Sequence, residues 1–245
     1  MNTFITGGGS GIGRAAALRL AARSHICVAD VDAARAESVA QEIRAGGGEA
    51  TALICDVTQS ASVRDAVAKA EAIAPLDALF NNAGISIRTR VEDVSESEWD
   101  LMLNTHARGM FLVAQNVLRA MVQRKRGAIV QTSSDFAVIG VPGMAAYCAG
   151  KTAIYSLTKA LAVEFGPQGI RVNAIGPGPI DTPILKQNRS DDDYKRAVAV
   201  NEARVPLGRL GQPEEVAVVV DFLLSDKASY INGQLLQPNG GTVMW

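Results

Sequence analysis

The order of apolar runs along the chain predicts an α/β protein built on one doubly wound parallel sheet, with helices on both faces. Two observations carry this. Short β-branched or apolar runs alternate with longer stretches whose apolar residues recur at helical spacing, and no linker, repeat or shift in composition interrupts the alternation. Strands are expected at residues 4–6, 26–29, 52–55, 78–80, 128–131 and 172–175, each buried on both faces as parallel sheets require. Helices are expected at residues 14–22, 33–44, 63–72, 98–123 and 146–165, where internal breakers are few. The three glycines within residues 45–49 read as a loop, and Arg124-Lys125-Arg126 as a solvated helix-to-strand turn. Residues 183–206 are polar and include Asp191-Asp192-Asp193, which suggests a mobile insertion over the strand ends, a substrate lid. The expectation is a single domain, residues 1–245, with a sheet of about seven strands.

Bulk properties narrow the function. A chain of 245 residues with 48% hydrophobic and 20% charged content buries a full core without staples. Its formal net charge of −1 supplies no basic field for nucleic acid or an anionic membrane, so a small-molecule substrate is expected. Cys27, Cys55 and Cys148 are odd in number and widely spaced, giving neither a disulfide framework nor metal-ligand spacing. Residues 1–5 run straight into a glycine turn without a charged and apolar leader, and no apolar stretch approaches about eighteen residues. A cytoplasmic protein without a metal site is the expectation.

The run Thr6-Gly7-Gly8-Gly9-Ser10-Gly11-Ile12-Gly13 follows the first strand and opens the first helix, the context of a dinucleotide site in a Rossmann-type sheet. Glycines accept positive φ and let main chain approach a pyrophosphate, while the helix N-terminus offers free N–H groups. Gly7, Gly9, Ser10, Gly11, Ile12 and Gly13 are therefore candidate cofactor residues. Asp30, at the end of the second strand and seventeen positions beyond Gly13, is placed to accept the adenosine ribose hydroxyls. A carboxylate there repels a 2′-phosphate, by about 4 kcal/mol for unit charges ~4 Å apart at an effective dielectric near 20, so NAD is expected over NADP. Asp32 adds to the repulsion, whereas Arg35 could swing toward a phosphate. A strand-end Asp can also be no more than a helix N-cap.

The TGxxxGxG form of this turn, Asn81-Asn82-Ala83-Gly84 after the fourth strand, and Tyr147-Cys148-Ala149-Gly150-Lys151 together resemble the classical short-chain dehydrogenase/reductase family. Pro177-Gly178, Arg209-Leu210-Gly211-Gln212-Pro213 and Asn239-Gly240-Gly241 are similar to its later landmarks, so the likeness spans nearly the whole chain. The resemblance implies that Asp56 and Val57 border the adenine, that Asn82, Ala83 and Gly84 line the central cofactor channel, and that Pro177, Gly178, Ile180 and Thr182 hold the nicotinamide carboxamide. It also implies a homotetramer or dimer. Two departures stand out. The first strand begins almost at Met1, and Asn239 stands where the family commonly has Asp.

The chemistry also follows from the groups. A phenol is a poor base near neutral pH, but an ammonium one helical turn away favours the phenolate, and Lys151 is at i+4 from Tyr147. Tyr147 would exchange the substrate hydroxyl proton as hydride passes between carbon and nicotinamide. Ser134 would hold the substrate oxygen. Asn104 resembles the family's fourth catalytic member, which joins Lys151 to a proton relay through water; otherwise it is a polar residue in a helix. Tyr155-Ser156-Leu157-Thr158-Lys159 is a second YxxxK. Ser134 lies thirteen residues before Tyr147, the family's offset, whereas the same offset from Tyr155 lands on Pro142, and Tyr155 is about 12 Å further along the helix. Ser133 is the competing serine, but the same offset selects Ser134. His25 and His106 read as surface or satisfied core histidines, and no metal site is expected.

Residues expected to face the substrate are Phe136, Ile139, Met144, Pro179, Ile184 and Leu185, with Arg88, Lys186 and Arg189 as polar contacts and Arg88 the first suspect for a substrate carboxylate. The functional expectation is an NAD-dependent oxidoreductase of a secondary alcohol or ketone: a sugar, hydroxy acid, cyclic alcohol or diol. Its alternatives are an NADPH-dependent 3-oxoacyl-type ketoreductase, whose family members usually carry a basic residue where Ser10 stands, and a nucleotide-binding sensor or scaffold without turnover.

Overall fold

The structure, a computed structural model, describes residues 1–186 and 190–244. Seven parallel strands form one sheet: β1 (Asn2–Thr6), β2 (His25–Asp30), β3 (Ala50–Ile54), β4 (Ala78–Asn81), β5 (Gly127–Thr132), β6 (Ile170–Ile175) and β7 (Leu235–Leu236), in the order β3-β2-β1-β4-β5-β6-β7. The order reverses between β1 and β4, which register Thr6 against Asn81 at their carboxyl ends. A ligand crevice opens at that switch point in doubly wound sheets.

The helices are α1 (Gly11–Leu20), α2 (Ala33–Ala45), α3 (Ser60–Ile73), α4 (Glu96–Leu103), α5 (Gly109–Arg124), α6 (Ala145–Phe165), α7 (Pro183–Lys186), α8 (Asp191–Arg204) and α9 (Pro213–Leu224). Two apolar cores sandwich the sheet. Leu20, Val39 and Val220 pack on one face with Ile5 and Val28, and Val63, Val113 and Leu161 pack on the other with Phe4 and Leu79. Successive residues of one strand thus feed opposite cores, as the strand period dictates.

Two expectations need correction. The edge strand β3 is not buried on both faces, since Ile54 at its end is 63% exposed. The helix expected over 98–123 is broken: α4 ends at Leu103 and a π-helical turn, Asn104–Arg108, precedes α5. Within the stretch 183–206, expected as a substrate lid, the described residues form α7 and α8. Its three aspartates form the first turn of α8, capped by the Ser190 side chain and suited to the positive end of the helix dipole.

Candidate active site

A cleft of about 1020 Å³ runs along the carboxyl ends of the strands. At one end it is lined by Gly7, Ser10, Gly11, Ile12 and Asp30, and at the other by Ser134, Tyr147 and Lys151. Asp56, Val57, Asn82, Ala83, Gly84, Pro177, Gly178, Ile180 and Thr182 line it between.

At the glycine end the surface is main chain. Gly7 and Gly11 adopt φ of +62° and +51°, and Ser10 extends into α1 without a side-chain cap, leaving the first-turn N–H groups for an anion. Gly9 and Gly13 do not line the cleft but let it form. A Cβ on Gly13 would collide with the Gly7 carbonyl, and one on Gly9 would lie 2.7 Å from Arg35 Cβ and 2.9 Å from Asp30 Oδ2. Asp30, 9% exposed, accepts from Gly9 N–H at 2.9 Å and Asp32 N–H at 3.1 Å. The N-cap of α2 is Asp32, whose carboxylate accepts from Ala34 and Arg35 N–H, so Asp30 is left for the cleft. Arg35 also lines the cleft, with its guanidinium paired to Asp32 at 3.1 Å.

The centre is clamped by side chains. Thr6 Oγ1 accepts from the N–H groups of Asn82 and Ala83 and donates to Asn81 Oδ1. Asn82 donates to the Thr6 and Gly7 carbonyls and accepts from Thr132 Oγ1 at 3.1 Å, joining the ends of β1, β4 and β5. These surfaces fit a dinucleotide: an open helix N-terminus, a glycine-lined cradle that side chains would fill, and the Asp30 carboxylate at the end of β2 lining the same cleft.

At the far end α6 delivers Tyr147 and Lys151. Lys151 Nζ donates to the Thr132 carbonyl at 2.8 Å and lies 5.6 Å from the Tyr147 ring centroid. Burial pulls the ammonium down to about 7, and burial pushes the Tyr147 phenol up to about 12 against the pull of its Ser134 hydrogen bond. Desolvation disfavours the charged forms of both groups. Ser134 adjoins Tyr147, while Ser133 Oγ is committed to the Lys151 carbonyl at 2.8 Å. Asn104 opens the π turn and does not line the cleft; its carbonyl accepts the Gly109 N–H. Tyr155 and Lys159 also lie off the cleft, the Lys159 ammonium 4.4 Å from the Tyr155 ring centroid.

Of the expected substrate contacts, Phe136, Met144, Pro179, Ile184 and Lys186 line the cleft; Ile139 and Leu185 do not. Arg88 does not either. It is drawn to the Pro142 carbonyl at 3.1 Å, where Gly143 leaves room for its stem. Arg189 lies outside the described residues. His25 sits at the periphery beside Thr51 and Glu49. His106 is neither a surface nor a satisfied core histidine. It is fully buried, accepts the Ile85 N–H on Nε2 at 3.1 Å and meets Tyr147 edge to face, centroids 5.3 Å apart, with Nδ1 unpartnered. Burial and nearby Lys151 hold it well below the usual imidazole range, so it stays neutral, with the hydrogen on Nδ1. The signals that could have found it are two glycines: a Cβ on Gly84 or Gly150 would lie 3.1 or 3.0 Å from its side chain. Asn239 anchors the C-terminal turn through a donor that Asp lacks, Nδ2 to the Val243 carbonyl at 2.9 Å. Among the described residues no cluster could hold a metal and no helix is long and apolar enough to cross a membrane.

Comparison with known proteins agrees with this architecture. A family model described as Enoyl-(Acyl carrier protein) reductase matches residues 7–243. The chain is 38% identical to 2-(S)-hydroxypropyl-CoM dehydrogenase 3 of Xanthobacter autotrophicus, over 97% of this chain and 94% of that one. It is 36% identical to a 3-oxoacyl-[acyl-carrier-protein] reductase of Thermotoga maritima, over 98% and 97%. The crystal structure of levodione reductase superposes with a TM-score of 0.93 at 36% identity, over 98% of this chain and 96% of that one. The chain belongs to the classical short-chain dehydrogenase/reductase family and is an oxidoreductase.

Proposed function

We propose that the protein is an NAD-dependent dehydrogenase that interconverts a secondary alcohol and its ketone. One observation carries this reading: a single cleft joins the Asp30 carboxylate, across the glycine turn, to Tyr147, Ser134 and Lys151. When bound, nicotinamide supplies the carbon that accepts or gives the hydride. Tyr147 passes the proton to or from the substrate oxygen, Ser134 holds that oxygen, and Lys151 positions both from its anchor on Thr132. Asn104 completes the relay to Lys151 through water. Residues 183–206 close over the substrate, and Phe136, Met144 and Ile184 give it an apolar wall. The protein works in the cytoplasm as a homotetramer or dimer; Phe111 on α5 and Val163 on α6, 42% and 80% exposed, support an interface on the long helices.

Absorbance at 340 nm with NAD, NADP and a panel of secondary alcohols, sugars and hydroxy acids tests the reading. Tyr147→Phe is expected to lower kcat by more than about 1000-fold with NADH affinity unchanged, since it removes the proton and little else. Retained turnover would remove Tyr147 from its role. A second reading, an NADPH-dependent 3-oxoacyl-type ketoreductase, draws on Arg35, which lines the cleft beside Asp30 and would have to leave Asp32 to meet a 2′-phosphate. NADPH binding more tightly than NADH would select it.

A further inference from the structure

Ser134 is followed by a buried acid that the proposed chemistry does not use. Asp135 is 2% exposed and sits in the short 3-10 turn that ends the Ser134 loop. Its Oδ1 accepts the Ser134 hydroxyl hydrogen at 3.0 Å, and its Oδ2 accepts the Thr242 hydroxyl at 3.1 Å. A serine oxygen has one hydrogen and two lone pairs. Here the hydrogen goes to Asp135, the Phe136 N–H occupies one lone pair at 3.1 Å, and Tyr147 bonds to what remains. A ketone oxygen accepts hydrogen bonds only, so Ser134 can hold it only by withdrawing its hydrogen from Asp135. An alcohol can instead donate to the Ser134 lone pair that Tyr147 gives up as it turns to the substrate oxygen.

We infer that Asp135 is a positioning residue whose carboxylate directs the Ser134 hydrogen, so that its charge decides whether Ser134 offers the substrate oxygen a donor or an acceptor. The inference deepens the hydride-transfer reading and rests on it. Ionised Asp135 favours the alcohol at Ser134. Protonated Asp135 donates to Ser134 and frees the serine hydrogen for the ketone. Burial raises this carboxyl above its ordinary value against the hydrogen bonds from Ser134, Thr242 and Phe136 N–H. Among the described residues, the charged and titratable groups facing it are Arg204 of α8, which lies over the Phe136 ring and favours the anion, and Tyr147 of α6, while the C-terminal segment brings the Thr242 hydroxyl.

The test measures kcat/KM in both directions against pH for the wild type, Asp135→Asn, Ser134→Ala, the double variant and Thr242→Val. Wild-type ketone reduction is expected to fall about tenfold as Asp135 ionises. Asp135→Asn, whose amide keeps the shape and donates to Ser134, should flatten that limb and exceed the wild type about tenfold on its alkaline side. On the Ser134→Ala background the same substitution should change nothing beyond about twofold. Thr242→Val cuts the tether alone and should keep the limb. Equal losses in both directions at every pH, or the same effect of Asp135→Asn without Ser134, would overturn the inference and leave Asp135 a brace for the C-terminus. The carboxyl stretch of Asp135, isolated as the infrared difference between wild type and Asp135→Asn with NADH present, needs no turnover. Ser134→Ala should raise its titration midpoint, and an unmoved midpoint overturns the inference even in an active enzyme. A wild type silent on every alcohol and ketone, with that shift intact, overturns the hydride-transfer reading instead.

Discussion

At the Asp30 end of the cleft the working surface is main chain: two glycines at positive φ, the uncapped start of α1 and N–H groups held by one carboxylate. At the Tyr147 end it is side chains from α6 and the loop after β5, braced from behind by His106 of the π turn and Thr242 of the C-terminal segment. The two ends therefore fail differently. A surface of main chain tolerates most changes of side-chain chemistry but no added atom. A surface of buried polar side chains tolerates small changes of shape but depends on which groups carry charge. The largest expected effect sits at the first end. Gly13→Ala drives a Cβ into the Gly7 carbonyl and within 2.9 Å of Asn82 Nδ2, so neither neighbour can yield without opening the clamp between β1 and β4. We expect a loss of about 3 kcal/mol or more of stability together with loss of NADH binding, read by urea unfolding and by NADH fluorescence. Gly140→Ala, where an added Cβ meets nothing within 4 Å, is the control and should lie within about 0.5 kcal/mol of the wild type.

The same contrast governs what the sequence discloses. Glycine spacing and strand-end position are local signals, so β1 to β6, the helices α1, α2, α3 and α6 and the turn at residues 6–13 follow from reading along the chain, whereas the two-residue β7 and α9 do not. Asp30 follows as well, because its distance from the turn is fixed by one helix and one strand. The π turn at Asn104–Arg108 carries no periodicity of its own and hides inside a continuous apolar pattern. His106 and Asp135 are invisible for another reason. Their partners Ile85, Tyr147 and Thr242 stand 21, 41 and 107 residues away, and only packing brings them together. Arg88 shows the opposite error: a cation near the right loop in sequence, taken up in the fold by the Pro142 carbonyl.

A smaller effect sharpens the comparison at the cofactor end, where charge enters through one residue. Asp30→Asn keeps the size of the side chain and an oxygen acceptor but removes the charge. The ratio of NADPH to NADH dissociation constants should fall by about 10–100-fold, less than an unscreened pair at ~4 Å would give, because Arg35 and solvent reach the same place. Tryptophan-to-NADH energy transfer reads both constants. An unchanged ratio would mean that Asp30 serves the glycine turn only, and that cofactor choice lies with Arg35.

The smallest effect tests whether the Tyr147 end is governed by charge in the way its geometry says. Burial lowers Lys151 from the usual lysine value to about 7, so above pH 7 the unfolded chain holds a proton that the folded chain has released. Stability rises with pH wherever the unfolded state binds more protons, so the cofactor-free protein should gain stability from pH 7 upward, at up to about 1.4 kcal/mol per pH unit. Below pH 7 Lys151 is protonated in both states and contributes no slope. Above pH 9 the buried thiols Cys27 and Cys55, raised to about 12, act in the opposite sense, because the unfolded chain then loses protons that the folded chain keeps. Urea midpoints at pH 7.0, 7.8 and 8.5 fall inside the window where Lys151 acts alone among these groups. Lys151→Met, which fills the same channel without a titrating group, should abolish the slope, while Asp30→Asn should leave it intact. If Lys151→Met and the wild type rise in parallel, the ammonium keeps its charge on the Thr132 carbonyl. The Tyr147 end would then be held by hydrogen-bond geometry, as the glycine end is, rather than by the balance of charge and burial.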